Sequence, residues 1–129
     1  MRLTLPVDSE DRKAVPLYGG CLAYFPAALA GVAGHSKRGN DKHNPGEPMH
    51  HARGKSSDHA DCIARHMLDI ADMLAAIDRA KTPYPPIRIA ELLAEADALS
   101  WRALALSQDL YERFGGAPLA PGARAAPPR

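Results

Sequence analysis

Residues 56–79, SSDHADCIARHMLDIADMLAAIDR, decide the fold, because their apolar and charged side chains follow the period of an α-helix. At about 100° per residue the apolar side chains share one face and the charged ones share the opposite face. The apolar face comprises Ile63, Met67, Ile70 and Leu74, and the charged face comprises Asp58, Asp61, Arg65, Asp69 and Asp72. Ser56 or Ser57 is expected to cap the helix start, since a serine hydroxyl accepts a hydrogen bond from a free amide there. The stretch therefore predicts an amphipathic helix that ends near Arg79.

An earlier segment, residues 17–36, is also expected to be helical, and it contains a proline. Pro26 removes a backbone donor, so the segment should kink, or consist of two helices that meet near Tyr24 and Phe25. Gly39 and Asn40 are expected to end this helix. Prolines and a glycine then predict an irregular loop over residues 40–55.

A third helix is expected over residues 89–114, after the linker TPYPPIR, with Gly115 and Gly116 as its end. Its predicted inner face is Leu92, Ala96, Leu99, Ala103, Ser107 and Leu110, and its outer face is Glu91, Glu95, Arg102, Asp109 and Arg113. Three long helices predict an all-α antiparallel bundle with an ordered polar loop between the first and second helices. The helical domain is assigned to residues 16–115, between an N-terminal arm (1–15) and a disordered Pro/Ala-rich tail (116–129).

The composition narrows the class of protein. The chain has 129 residues, and 46% of them are hydrophobic, which suits one domain with a modest core. Its 16 basic residues nearly balance its 15 acidic ones, so neither nucleic acid nor a membrane surface is indicated as a partner. With no signal-like segment and only Cys21 and Cys62, a cytoplasmic location is expected.

Residues 39–66, GNDKHNPGEPMHHARGKSSDHADCIARH, hold five of the six histidines and are the densest polar block of the chain. Lys42, Arg53 and Lys55 precede a predicted helix start, where free amides and the helix dipole favour anions, so they could bind phosphate. A solubilising loop is the equal alternative, since no Walker A or GxGxxG pattern is present. Trp101, the single tryptophan, is expected in the core or as a base-stacking platform.

Two carboxylate pairs are candidates for holding a hard cation. Asp58 and Asp61 lie three residues apart at a helix start, so both project to one side and could bind Mg²⁺ or Mn²⁺. Acidic residues also favour that position because they complement the helix dipole. Glu91 and Glu95 form a second pair, for which an ordinary solvated helix face is the alternative.

His59 and His66 lie seven residues apart, on one edge of the second long helix, between its apolar and acidic faces. They are candidates for acid/base catalysis or metal binding, and hydrogen-bonded packing is the alternative for both. HxxxH and HExxH spacings are missing, which argues against a zinc hydrolase.

The succession YFPAALAGVAGHSKRGNDKHNPGEPMHHARGKSSDHADCIARHMLD, followed by SWRALALSQDL, resembles the family named for the N-terminal domain of bacteriophage-type dATP/dGTP diphosphohydrolases. These are relatives of the MazG-like all-α nucleotide pyrophosphohydrolases. The resemblance covers roughly residues 16–113, and its signature is GN…HNPG…H…RGKS.DH.D…RH. It implies an α-helical fold and Mg²⁺-dependent cleavage of a deoxynucleoside triphosphate to monophosphate and pyrophosphate.

On this interpretation Asp58 and Asp61 hold the metal, Lys42, Arg53 and Lys55 contact the phosphates, and three further side chains line the pocket: His43, Asn44 and His51. MazG-like enzymes carry ExxE and ExxD motifs. Here the two aspartates replace the first motif, and Glu91, Glu95 and Asp97 are out of register with the second. The alternative is a non-catalytic helical binding or assembly module. In either case the small residues on the third helix predict a homo-oligomer.

Overall fold

The computed structural model describes residues 3–53, 58–80 and 86–123 of the chain. Of the described residues 69% are helical and none lies in a strand, so the predicted all-α class is confirmed. A short π-helical turn, Tyr18–Leu22, lies between the first two helices. The α-helices in the described ranges are α1 (Ser9–Lys13), α2 (Pro26–His43), α3 (His59–Arg79) and α4 (Pro86–Phe114).

The break predicted around Pro26 is present. The π-helical turn ends at Leu22, and α2 begins at Pro26, which occupies the first helical position, where the missing proline N–H is not needed. The two helical segments on either side, Ser9–Leu22 and Pro26–His43, are bent by 84° relative to each other. In the described part of the chain no single helix is long and apolar enough to cross a membrane, although this bent pair together meets that measure by length and composition.

The predicted helix end at Gly39 and Asn40 is wrong, because α2 continues to His43. The His51 ring packs so closely over Gly39 that an added Cβ would meet it at 3.1 Å. Asn40 is 1% exposed and points its amide into the following loop. Both residues thus serve contacts with residues ten or so positions later, and a local helix-stop rule cannot detect such contacts.

Helix α4 is the element against which both other long helices pack, and the backbones of α2 and α3 do not contact each other within the described ranges. Helix α2 runs parallel to α4, since Gly31 lies against Asp97 and Ser36 bonds Trp101. Helix α3 runs antiparallel to α4, since His59 contacts Asp109 and His66 contacts Glu95. Because α4 is contacted on two sides, side chains outside its single apolar stripe also face neighbours.

The apolar faces are only partly covered. Ile70 of α3 and Ala105 of α4 are the buried hydrophobic residues among those described. Met67 and Leu74, on the predicted inner face of α3, remain 49% and 45% exposed. The start predicted for the second long helix, at Ser56 or Ser57, lies outside the described residues. Within the described residues α3 begins at His59, and it ends at Arg79 as predicted.

Helix α4 ends at Phe114 as predicted, and the chain then turns back. Gly116 has φ of 71°, a left-handed conformation that glycine adopts without strain, and the Ala117 N–H bonds the carbonyl of Tyr111 at 3.2 Å. A disordered tail is the expectation for residues 116–129. Residues 117–123 instead return to the loop after α2, where the Arg53 N–H bonds the Gly122 carbonyl at 3.0 Å, and residues 124–129 lie outside the described part.

Gly31 should resist replacement by alanine, whereas Gly34 on the same helix should not. A Cβ at Gly31 would overlap the Asp97 carboxylate, so the Asp97 side chain would have to leave its position or α2 and α4 would have to move apart. A Cβ at Gly34 meets only the end of the flexible Arg38 side chain at 3.2 Å. Gly34→Ala should raise the free energy of unfolding by ~0.5–1 kcal/mol through helix propensity, and Gly31→Ala should lower it by ~1–3 kcal/mol through overpacking.

Thermal unfolding of the two variants followed by circular dichroism measures this difference. An equal rise in melting temperature for both would contradict the close packing of the Asp97 side chain against Gly31.

Candidate functional site

The loop after α2 is held by the buried side chain of Asn40. Its Nδ2 donates to the carbonyls of Glu47 and Pro48 at 3.0 and 3.3 Å, and its Oδ1 accepts the His50 N–H at 3.1 Å. Asn44 also donates to this Oδ1, at 3.4 Å. The Asn40 side-chain amide therefore pairs with backbone groups of the loop that have no partner in a helix or strand, and it fixes the path of this irregular segment.

The far end of the loop is held by Arg53, whose side chain is 10% exposed. Its guanidinium donates to Asp109 at 2.6 Å and to both oxygens of Glu112 at 2.6 and 2.7 Å. It also donates to the carbonyls of Ala120 and Pro121, at 3.2 and 3.1 Å. This set of contacts, the Arg53 clasp, joins the loop, α4 and the returning C-terminal segment.

Glu112 is 6% exposed and completes the clasp. Burial alone would raise its pKa, but hydrogen bonds from Gln108, Arg53 and the Ala120 N–H, together with the Arg53 charge, hold the pKa below its ordinary 4.5. The carboxylate is therefore ionised at neutral pH. It balances the Arg53 charge, which would be costly to bury alone.

A pocket of about 160 Å³ lies between the loop, α2, α4 and the C-terminal segment. Its walls are Ser36, Met49, His50, His51, Arg53, Trp101 and Pro121. The Trp101 Nε1–H donates to Ser36 Oγ at 2.7 Å, which fixes the indole ring. The His51 ring centroid lies 5.6 Å from that of Trp101, and the His43 ring stacks on His51 at 5.4 Å with 5° between the planes.

His59 is buried beside the clasp. Its Nε2 lies 3.1 Å from Asp109 Oδ2, so the Nε2–H tautomer donates to that carboxylate. Its Nδ1 is buried and has no hydrogen-bond partner among the described residues. In this tautomer Nδ1 keeps its lone pair, which makes His59 a proton acceptor or a metal ligand oriented by a carboxylate.

His66 lies at a separate level of the helix pair. Its Nδ1 is 2.7 Å from Glu95 Oε2, and both side chains are about a quarter exposed, at 29% and 27%. The hydrogen bond between His66 and Glu95 agrees with the packing alternative for this histidine.

His35 of α2 has a lowered pKa. Burial and the Arg38 charge lower the pKa of His35 below 6.5, against the opposing effect of Asp97.

The two carboxylate pairs lie apart. Asp58 sits at the start of α3 with Arg65 at 3.5 Å, and Asp61 is exposed one turn later. Asp109, which faces the start of α3 through His59, comes 14 residues after Glu95 on α4, or about 21 Å along the helix axis. Glu91 is a further turn away and pairs with Arg88 at 3.5 Å. In the residues that the structure describes, no group of three His, Cys, Asp or Glu side chains could hold a metal ion.

The structure brings together only part of the predicted site. Three predicted residues lie at or near the pocket: His51 lines it, the His43 ring stacks on the His51 ring, and Asn44 donates a hydrogen bond to Asn40. Lys42 and Asp61 are exposed to solvent, and Lys55 lies outside the described residues. The Arg53 guanidinium donates its hydrogen bonds to Asp109 and Glu112 inside the protein. Contact between Arg53 and a phosphate stays a prediction. The residues that the sequence analysis did not single out are Ser36, Asn40, Asp109 and Glu112. The Gly39-Asn40 pair indicated a helix stop and gave no sign of a buried amide, and no local signal marks the other three residues.

Comparison of the chain with models of known families, with curated proteins and with solved structures gives no match in any of the three.

The Arg53 clasp should weaken in acid through Glu112. Because the folded-state pKa of this carboxyl is lowered, its stabilisation is complete above 4.5 and is lost as the pH falls through the lowered value. Glu112→Gln should cost ~1.5–3 kcal/mol of unfolding free energy at neutral pH, and the two stability curves should converge in acid.

Urea unfolding of both proteins between about pH 7 and about pH 3 measures this convergence. Glu10→Gln is the matched control, because Glu10 is 80% exposed and pairs only with Lys13 among the described residues. A constant gap between wild type and Glu112→Gln across this range would contradict the assignment.

Proposed function

We propose that the protein is a helical deoxynucleoside triphosphate pyrophosphohydrolase of phage or prophage nucleotide metabolism, working inside the cell. One observation carries the proposal: the unusual residues of the motif meet in space. Asn40, His51 and Arg53 build the pocket and its supports, and His59 lies against the same cluster through Asp109. A merely solubilising loop has no need for a buried asparagine and a buried arginine to fix its path.

The proposed reaction is attack of water on the α-phosphorus. The bond from this phosphorus to the oxygen that bridges it to the β-phosphorus breaks, and pyrophosphate leaves with the electron pair. The water proton passes to His59 Nδ1, whose lone pair is free because Asp109 holds Nε2–H. Substrate binding must admit water to this atom, which is buried in the unliganded protein.

Asp58 and Asp61 fit a divalent cation that arrives with its substrate. Mg²⁺ is commonly held by one or two carboxylates, with water and substrate phosphate oxygens completing the shell. Two carboxylates on one side of a helix start meet that requirement, although the described residues offer no preformed cage. When bound, such a cation would neutralise charge on the phosphates. Glu91 and Glu95 lie too far along α4 to share it.

A non-catalytic nucleotide-binding module is the second candidate. It is favoured by the separation of the two carboxylate pairs and by the bond between Glu95 and His66, which occupies a carboxylate that a two-helix metal site would need. In this case the pocket and loop bind the nucleotide without turnover.

Incubation of the purified protein with each deoxynucleoside triphosphate and Mg²⁺ separates the candidates. The hydrolase should release monophosphate and pyrophosphate, and Asp58→Asn with Asp61→Asn should abolish turnover with little loss of helix, because carboxylates at a helix start contribute ~0.3–1 kcal/mol each. Asp69→Asn, an exposed acidic residue of the same helix, is the control and should keep its activity.

Binding without product would support the module, and release of orthophosphate would indicate another reaction class. Full activity in the double variant would remove Asp58 and Asp61 from the metal site.

We further propose that the protein self-associates. Large apolar side chains remain more than a third exposed on both α3 and α4, among them Met67, Leu68, Leu74, Leu93 and Leu104. Burying them between copies would stabilise the assembly by ~25 cal/mol per Å² of apolar area. Sedimentation velocity at micromolar concentration should give a dimer or larger species, and a monomer would contradict the proposal.

A further inference from the structure

We propose that the pocket beside Trp101 binds the base of the nucleotide and leaves the phosphates outside. This inference rests on the proposed function and assigns one part of the substrate to one part of the site. The pocket is formed by residues from four segments that are distant in sequence, namely α2, the loop, α4 and the C-terminal return.

Two planar rings at the pocket, those of Trp101 and His51, are held in place by neighbouring side chains. The Trp101 ring is held by its bond to Ser36, with the Arg102 guanidinium 5.6 Å from its centroid. His51 lies against Trp101 and is backed by His43, so its ring is also held in place. Bases stack on such rings whatever their sequence identity, because every base has a π-face.

The pocket is large enough for the ring system of one base and too small for a whole nucleotide. Sites that enclose a whole drug-sized ligand are ~300–1,000 Å³, and this pocket is about 160 Å³. A base can therefore enter, while the sugar and phosphates remain at the surface. The pocket is lined by both polar and apolar side chains, and Ser36 Oγ accepts the Trp101 N–H, which leaves its own hydroxyl hydrogen for an acceptor on the base edge.

The phosphates would then extend toward the start of α3. Trp101 and Asp109 are eight residues apart on α4, or about 12 Å. Asp109 contacts His59, the residue next to Asp58. The base pocket and the proposed carboxylates are thus separated along α4 by a distance that the sugar and phosphate chain can span, with Arg53 between them.

Trp101 fluorescence tests the proposal directly, because the chain has one tryptophan. The probes are dATP with a methylene group between its α- and β-phosphorus atoms, which resists hydrolysis, and inorganic tripolyphosphate, which lacks a base, each with Mg²⁺. The nucleotide analogue should quench Trp101 in a saturable way, whereas tripolyphosphate should bind in calorimetry without quenching.

His51→Ala should weaken binding of the analogue about tenfold or more, since stacking on one ring carries that much affinity, and should leave tripolyphosphate binding unchanged. His51→Phe keeps a flat ring and should restore the affinity. Circular dichroism of both variants checks that they fold.

Equal affinity for the two probes, with no effect of His51→Ala, would contradict the assignment of the pocket to the base. It would not contradict the proposed hydrolase activity. Failure of both probes to bind would overturn the two proposals together.

Discussion

The burial of the Arg53 guanidinium is the constraint on which the site depends. A charged group that is only 10% exposed is costly unless opposite charge and hydrogen-bond acceptors surround it. Asp109 and Glu112 supply the charge, and the carbonyls of Ala120 and Pro121 supply further acceptors. Three segments must therefore meet at one point for the arginine to be accommodated, and their meeting forms one side of the pocket.

Asn40 has the corresponding role at the other end of the loop. Its amide satisfies backbone groups of Glu47, Pro48 and His50, so the loop is fixed at both ends. Between these anchors the chain places His51 against Trp101 of α4. The rings of the pocket are thus positioned by buried polar contacts, because the described chain buries few apolar side chains that could do so.

The sequence predicted the elements whose cause is local. The period of residues 56–79 and the glycines after Phe114 correctly predicted the C-terminal ends of α3 and α4, and Pro26 predicted the break before α2, whereas α4 begins at Pro86, three residues before the predicted Ile89. It did not predict contacts between residues that are far apart in the sequence. Asp109 and Glu95 were assigned to the outer face of the third helix, because helical periodicity reveals one apolar stripe and cannot show that α4 is contacted on two sides. Asn40 was interpreted as a helix stop because its partners lie seven to ten residues later in the loop, where a local rule does not reach. The return of residues 117–123 onto Arg53 was not predicted, because the two segments are distant in sequence.

The Arg53 clasp holds the loop and the C-terminal segment as one unit on α4. Hydrogen exchange measures this directly through two amides, the Arg53 N–H that bonds Gly122 and the Ala120 N–H that bonds Glu112 at 2.8 Å. Both amides should be protected in the wild-type protein, and Glu112→Gln should accelerate the exchange of both together while the amides in the middle of α3 keep their rates. Rapid exchange of both amides in the wild type, or acceleration of Ala120 alone in the variant, would contradict this role of the clasp.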